Sequence, residues 1–341
     1  MDNQDIYDVI IVGSGPAGLT AGIYVARGSR KTLILAGRKW GGQLMLTTEV
    51  ENFPGFPEPI MGPELMKKMR DQAERCGAEI LDVNFVSGDY SKKPFIVTSD
   101  DDKKYYSKSI IISTGADTKW LQIPGEEEKI GRGISSCAPC DAAFYRNKKV
   151  VVIGGGDSAM EEALVLTKFA SEVFLIHRRD SFKASDAMQQ KVFHNEKIKI
   201  IWNTSPVEVL GEMKVEKIKL KTEPASPSLG GSEKIKIKEN NQDKEVSIEE
   251  IGGKALENGE WEFPTDGMFV AIGHTPNSMI FEGIEKDEHG FIKQYPDSKT
   301  NIEGVFVSGD VHDSHYMQGI TAAAFGCMSA LDVEKYLQMG E

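Results

Sequence analysis

Two cysteines three residues apart, Cys137 and Cys140, and two glycine-rich turns are the residues of this 341-residue chain best suited by type and spacing to do chemistry. The turns read Gly13-Ser14-Gly15-Pro16-Ala17-Gly18 and Gly154-Gly155-Gly156-Asp157-Ser158-Ala159. Each follows a short β-branched run, Val9 to Val12 or Val150 to Ile153, and opens a helix-compatible stretch. That context makes each a dinucleotide fingerprint. The glycines permit a tight turn and let pyrophosphate approach backbone N–H groups at a helix N-terminus, where the dipole favours anions. Two such sites imply two bound nucleotides. A cysteine pair just ahead of the second implies that electrons finally reach sulfur.

The residues beyond each turn bear on which nucleotide it takes. About twenty positions past a fingerprint an acid usually bonds the ribose hydroxyls. Past Gly154 that place holds Leu175-Ile176-His177-Arg178-Arg179, with Lys183 just beyond. Cations there imply an extra phosphate on the ribose, hence NADPH over NADH. Past Gly13 the same place holds Leu35-Ala36-Gly37-Arg38, with no acid, so the residues alone leave that nucleotide open. One nicotinamide per enzyme is the norm, so the other site should hold a flavin, which passes electrons from nicotinamide to a disulfide. Gly309-Asp310, after a strand from Gly304 to Val307, places an acid where it could bond a ribityl chain. Gln318-Gly319-Ile320-Thr321 then opens a small-residue helix whose N-terminus could stabilise charge on a reduced ring. Packing alone would also account for that Ala-rich helix.

Bulk composition excludes several classes. The length supports about two domains, each with its own core. Apolar residues make up 40% and charged residues 27%, as in an ordinary globular chain. A net charge of −12 argues against a nucleic-acid or anionic-membrane surface. The first apolar run is too short for a signal-peptide core or a membrane span, so a soluble cytoplasmic protein is expected. Cys76 and Cys327 read as buried unpaired thiols. No second CxxC accompanies Cys137 and Cys140, and His312 and His315 lie in a loop-like stretch, so no metal is expected.

The elements that must position these groups follow from the apolar pattern. Tyr7 to Val12, Ala17 to Arg27 and Lys31 to Leu35 read as strand, helix and strand, one βαβ unit. Pro63 to Cys76 reads as a helix closed by Gly77, and Ile80 to Thr98 and Ser109 to Ser113 as strands. The second βαβ unit runs from Val150 to His177, and Met268 to Ile272 is a further strand. Strand ends break into glycine at Ser113-Thr114-Gly115 and at Gly273-His274-Thr275, which read as two linkers enclosing an inserted domain. The similar fingerprints at 13 and 154 suggest duplication of one nucleotide-binding fold. Between Lys221 and Pro264, with Pro224, Pro227, Gly230-Gly231 and Gly252-Gly253, the pieces Lys234 to Lys238 and Glu245 to Ile248 read as an exposed hairpin excursion.

In order along the chain, Gly13 to Gly18, Gly41-Gly42-Gln43-Leu44, Val50 to Gly55, Thr114-Gly115-Ala116 and Cys137-Ala138-Pro139-Cys140-Asp141 are followed by Gly154 to Ala159, His177 to Asp180, Ala271 to His274 and Gly309-Asp310. Together they resemble the low-molecular-weight thioredoxin reductases over nearly the whole length. The resemblance implies an α/β fold of two Rossmann-like nucleotide-binding domains, the NADPH domain inserted into the FAD domain. The expected boundaries are 1–117 and 273–341 for FAD, and 118–272 for NADPH and the CxxC. It implies FAD near Ser14, Gly15, Pro16, Ala17, Gln43, Asn52, Val86, Asp310, Met317, Gln318 and Gly319, with Gly13, Gly18 and Gly42 shaping the turns. NADPH is expected at Gly154, Gly156, Asp157, Ser158, Ala159, His177, Arg178, Arg179 and Lys183. By the same resemblance Cys140 faces the flavin, Cys137 attacks the disulfide of thioredoxin, Asp141 serves as acid and base, and the enzyme is a homodimer. An N-cap is the other role open to Asp141.

The chain departs from the family pattern at Pro139, at Ala142 after the acid, at Met317 and Gly319 around Gln318, and in the long Lys221 to Pro264 stretch. A dithiol oxidase would not need Arg178 and Arg179, and a ferredoxin–NADP reductase would lack the cysteines. A peroxiredoxin-reducing relative would carry an added N-terminal region, whereas the first strand here begins almost at once. A nucleotide-binding redox sensor would have the disulfide without turnover.

Overall fold

The computed structural model describes residues 5–223, 234–256 and 259–340. The chain divides into two compact units, Met1–Asp117 with His274–Glu341, and Thr118–Gly273. Both are α/β, built on largely parallel sheets.

In the first unit the sheet runs Glu79–Leu81, Thr32–Leu35, Ile6–Val12, Lys104–Ile112, Phe95–Ser99, Phe85–Asp89, with Val305–Val307 also paired to Lys104–Ile112. The central strands are parallel, in register Val12 with Leu35 on one side and with Ile112 on the other. Where they pair at the centre, residues 9–12, 33–35 and 110–112 are apolar without interruption because both faces are covered. Alternation sends Val9 and Ile11 into one core with Leu19, Met66 and Val333, and Ile10 and Val12 into another with Phe281 and Ile292. Helix Pro16–Arg27 packs against helix Gly319–Gly340. Gly326 permits the approach: a Cβ there would fall inside the contact distance of the Ala17 carbonyl.

In the second unit the order is Ile134–Ser135, Gly267–Ala271, Lys149–Gly154, Glu172–Ile176, Ile198–Ile201, Lys234–Glu239, Gln242–Ser247. The first five are parallel and the last two antiparallel. A second sheet of Thr204–Leu210, Lys217–Thr222, Glu260–Pro264 and Lys254–Ala255 contributes Trp261 and Phe263 to a core shared with Val151, Ile153 and Phe174.

Two expectations are corrected here. The hairpin at Lys234–Glu239 and Gln242–Ser247 is not an excursion: it extends the main sheet through Ile198–Ile201, with Ile235 and Ile237 buried. Ile248 lies outside the strand, and Pro224, Pro227 and Gly230-Gly231 lie outside the described residues. Cys76 and Cys327 are unpaired with each other but half-buried rather than buried, and Tyr24 hydrogen-bonds the Cys327 side chain.

The chain passes between units twice, at Asp117/Thr118 and Gly273/His274. The two crossings run side by side: Ala116–Thr118 pairs with His274–Pro276, and the Lys119 N–H donates to the Gly273 carbonyl at 3.0 Å. Among the described residues no helix is long and apolar enough to cross a membrane, and no cluster of His, Cys, Asp or Glu is arranged to hold a metal ion.

Candidate active site

Strand Ile134–Ser135 delivers the chain to a short helix, Ala138–Asp141, and then a 3-10 turn, Ala142–Tyr145. Cys137 and Cys140 are joined as a disulfide across that helix, with their Cα atoms 5.3 Å apart. Backbone bonds hold the turn: the Cys137 carbonyl accepts the Cys140 and Asp141 N–H groups at 3.2 and 3.1 Å. The Cys137 N–H donates to Ser135 Oγ at 3.0 Å, and the Ala138 N–H donates to the Glu162 carboxylate.

Asp141 and Glu162 are the carboxyl groups that this packing disturbs. Burial pushes the Asp141 carboxyl up, partly offset by a hydrogen bond from Ser135. Burial pushes Glu162 up to about 8, with Asp141 and Glu161 adding repulsion and the Ala138 N–H opposing it. The capping role considered for Asp141 is not found, because its side chain makes no cap hydrogen bond to the 3-10 turn that follows. Sequence reasoning missed Glu162. Its signal was an acid one helical turn past the fingerprint, beside the buried face formed by Ala159, Ala163 and Leu166.

The first glycine turn joins strand Ile6–Val12 to helix Pro16–Arg27. Gly13 has φ +114°, and a Cβ there would clash with the Ser113 carbonyl, so no other residue fits without strain. Gly15 caps the helix without a side-chain bond and opens onto space, since a Cβ there meets nothing within 4 Å. The helix N–H groups are therefore available to an anion. Ser14 is buried and holds the cradle: its Oγ donates to the Ala36 carbonyl at 2.7 Å and accepts the Gly41 N–H at 2.9 Å. Gly42 lies against Gly15.

Asp310, in the 3-10 turn Gly309–Val311, comes close to the same helix start, because Gly309 abuts Ala17. Its Oδ1 is buried with no partner. Burial, with a smaller push from Asp313, raises the carboxyl to about 7. Asn52 Nδ2 donates to Gln318 Oε1 at 3.4 Å, and Gln43 Nε2 donates to Asp117 at 2.8 Å. Met317 takes a left-handed conformation, φ +47°, just before helix Gly319–Gly340. Val86 is 52% exposed. The segment before it reaches the end of the second strand, where the Gly37 N–H donates to the Val83 carbonyl and the Arg38 N–H to Asn84 Oδ1.

A pH dependence follows from Asp310. Its folded value lies above its ordinary 3.8, so the native state keeps the proton longer than the unfolded state does. Stability of the ligand-free protein is therefore expected to fall as pH rises from 3.8 through about 7. Asp310→Asn should make that part of the profile shallower in urea unfolding, the remaining slope coming from Asp141 and Glu162. An unchanged slope would show that the carboxyl is solvated.

The second glycine turn joins strand Lys149–Gly154 to helix Asp157–Leu166, with Gly156 open in the manner of Gly15. The segment after strand Glu172–Ile176 folds back onto it. His177 Nδ1 lies 2.9 Å from the Gly154 carbonyl, and its ring occupies the space a Cβ on Gly155 would need. Burial lowers the imidazole's pKa, so His177 braces the turn as a neutral ring. The Lys183 N–H donates to the Gly155 carbonyl at 2.8 Å, and Asp157 accepts from both the Ser185 N–H and hydroxyl, at 3.0 and 2.7 Å. Ser158 is exposed on the first helical turn and Ala159 buried behind it. Arg178, Arg179 and Lys183 are thus held beside the turn with their side chains exposed.

Residues 7–227 and 231–326 match the family described as pyridine nucleotide-disulphide oxidoreductase. A thioredoxin reductase from Rickettsia felis is 44% identical over 331 residues, covering 96% of this chain and 97% of that one. The solved thioredoxin reductase from Giardia duodenalis is 36% identical, with a TM-score of 0.82 over 98% of this chain and 100% of its own. That from Lactococcus lactis, in what is termed the FR conformation, is 38% identical, with a TM-score of 0.59 over 98% and 99%.

Proposed function

The chain belongs to the pyridine nucleotide-disulphide oxidoreductases, among the thioredoxin reductases, and on that premise we propose that it is an NADPH-dependent reductase of thioredoxin disulfide that holds FAD. The observation that carries the reading is a disulfide in the same unit as a glycine turn flanked by Arg178, Arg179 and Lys183, while the other glycine turn belongs to the other unit. The first site fits a flavin nucleotide by its open helix start at Gly15 and by the orphaned Asp310 oxygen, which suits a ligand hydroxyl. Once bound, the flavin supplies two-electron transfer between a nicotinamide and a disulfide.

The chain's own residues divide the remaining work. Ser14 fixes the first turn so that helix N–H groups meet a pyrophosphate, and His177 does so for the second. Arg178, Arg179 and Lys183 hold a 2′-phosphate. Cys137 and Cys140 carry the exchange, and Asp141 delivers a proton as a thiolate leaves. Asp141→Asn is expected to slow reoxidation by thioredoxin by roughly 10²-fold or more, followed by stopped flow. Because the side chain caps nothing, thermal stability should be little changed. An unchanged rate would remove Asp141 from the chemistry.

Both the disulfide and the NADPH turn lie on Thr118–Gly273, whereas the FAD turn lies on the other unit. Each must come within about 3–3.5 Å of one ring system in turn. We therefore assign a rotation about the paired crossings Ala116–Thr118 and His274–Pro276. A rotation also accounts for relatives of 36% and 38% identity that superpose at 0.82 and 0.59. A homodimer is supported by the exposed apolar stripe of Ile320, Met328 and Leu331 on one helix, with exposed Tyr24 on another.

Anaerobic titration of the yellow protein with NADPH, followed by thioredoxin, tests the whole reading. Bleaching that thioredoxin reverses is expected. Bleaching reversed only by oxygen would indicate an NADPH oxidase, and no bleaching by NADPH a dithiol oxidase or a redox sensor. A cross-link that freezes the units should allow one half-reaction and block the other.

A further inference from the structure

The carboxyl of Glu162 sits where no part of the scheme above uses it. It accepts the Ala138 N–H, the amide between the two cysteines, and it is close enough to Asp141 for the two charges to repel. The charged groups acting on it are Asp141, from the redox turn, and Glu161, from its own helix, and neither is a cation. The elements packed against this helix also carry Tyr145, Lys149, Glu172, Asp186 and Lys191. Lys149 is directed to Glu172, at 3.9 Å. A carboxyl held up to about 8 keeps its proton at neutral pH, while its other oxygen still accepts the amide.

Reduction of the disulfide consumes such a proton. Two electrons break the S–S bond and leave two sulfurs; at neutral pH one ends as a thiol and the other as a thiolate, so one proton is taken up. In turnover the electrons come from reduced flavin. We propose that Glu162 is a positioning residue of the redox turn, holding the Ala138 amide and keeping in reserve the proton that Asp141 gives to sulfur. Asp141 protonates the leaving sulfur, Glu162 restores the Asp141 proton, and solvent restores Glu162. The inference rests on Cys137 and Cys140 being the redox pair.

The test uses the FAD-loaded enzyme reduced by dithiothreitol, with neither NADPH nor thioredoxin present. Alkylation of the pair by iodoacetamide is followed by peptide mass from about pH 6 to 10, because only the thiolate reacts. In the wild type the rise in rate should be spread wider than a single-proton curve, because thiol and Glu162 titrate together. Glu162→Gln keeps an acceptor for the Ala138 N–H but cannot titrate, so its curve should sharpen and move to lower pH. Glu162→Ala should show the same sharpening. A wild-type curve of single-proton shape overturns the proposal without any variant. So does a Glu162→Gln curve that superimposes on the wild type, since a purely structural role would be met by glutamine. Failure of the redox-pair reading is seen separately, as no gain of thiols at Cys137 and Cys140 on reduction.

Discussion

Cys137→Ser and Cys140→Ser should each reduce thioredoxin turnover by roughly 10⁴-fold or more, because the two sulfurs act as a unit and neither half substitutes for the other. The backbone of the turn should survive both changes. Its bonds run through the Cys137 carbonyl and N–H and the Ala138 N–H, none of which a serine removes. The variants should therefore differ in spectrum rather than in fold. Exposure does not separate the cysteines, both being half-buried, so the assignment of roles comes from the family resemblance. With Cys140 facing the flavin, Cys137→Ser leaves a thiolate there and should show a long-wavelength charge-transfer absorbance. Cys140→Ser should not. Turnover of thioredoxin by the Cys137→Ser enzyme, or the same absorbance in both variants, would reverse or remove the assignment.

Joint replacement of Arg178 and Arg179 by alanine should raise the KM for NADPH on the order of 10²-fold or more, each charge-assisted bond contributing about 1.5–3 kcal/mol. The KM for NADH should barely move. The selectivity rests on where the structure leaves these side chains. The backbone from His177 to Ser185 is tied to the glycine turn through His177, Lys183 and Ser185, so the loop's position does not depend on the guanidiniums. The guanidiniums are exposed and available to a ligand. Steady-state kinetics with both cofactors decides the matter. Equal losses with NADPH and NADH would mean that the change deformed the turn instead of removing a phosphate clamp.

The local βαβ units were legible because their signals are local. A β-branched run, a glycine turn and an apolar helix lie within some thirty residues, and the first unit's strand, helix and strand begin at Ile6, Pro16 and Thr32, each one residue from where the pattern puts it. The strand expected from Ser109 begins earlier, at Lys104. What escaped was decided by partners distant in sequence. Lys234–Glu239 alternates Lys with Ile, as an exposed hairpin would. Only the free edge of Ile198–Ile201 turns that alternation into a continuation of the sheet. Glu162 reads as a surface acid until a turn from 24 residues upstream lays its amide against it. Asp141 precedes a turn in the manner of a cap, yet the hydrogen bond it accepts comes from the Ser135 side chain. The unpaired thiols were read from residue type alone, which does not register that Tyr24 stands over Cys327.

The order of the segments also dictates an order of folding. Thr118–Gly273 is a continuous stretch, complete as soon as it leaves the ribosome. The unit around it is not. Its strand Val305–Val307 and helix Gly319–Gly340 are made last, yet they pack beside Lys104–Ile112 and Pro16–Arg27. The ion pair of Arg30 with Glu334 joins residues 304 positions apart. Contacts of that span carry a large loop-closure cost and form slowly unless the intervening chain is already compact. Early folding of the inserted unit supplies that compaction, drawing Asp117 and His274 together before the C-terminal helix exists. Until then the nascent N-terminal segment lacks its covering helix. A segment waiting uncovered in this way is the kind of partly folded species that aggregates, and against which chaperones act.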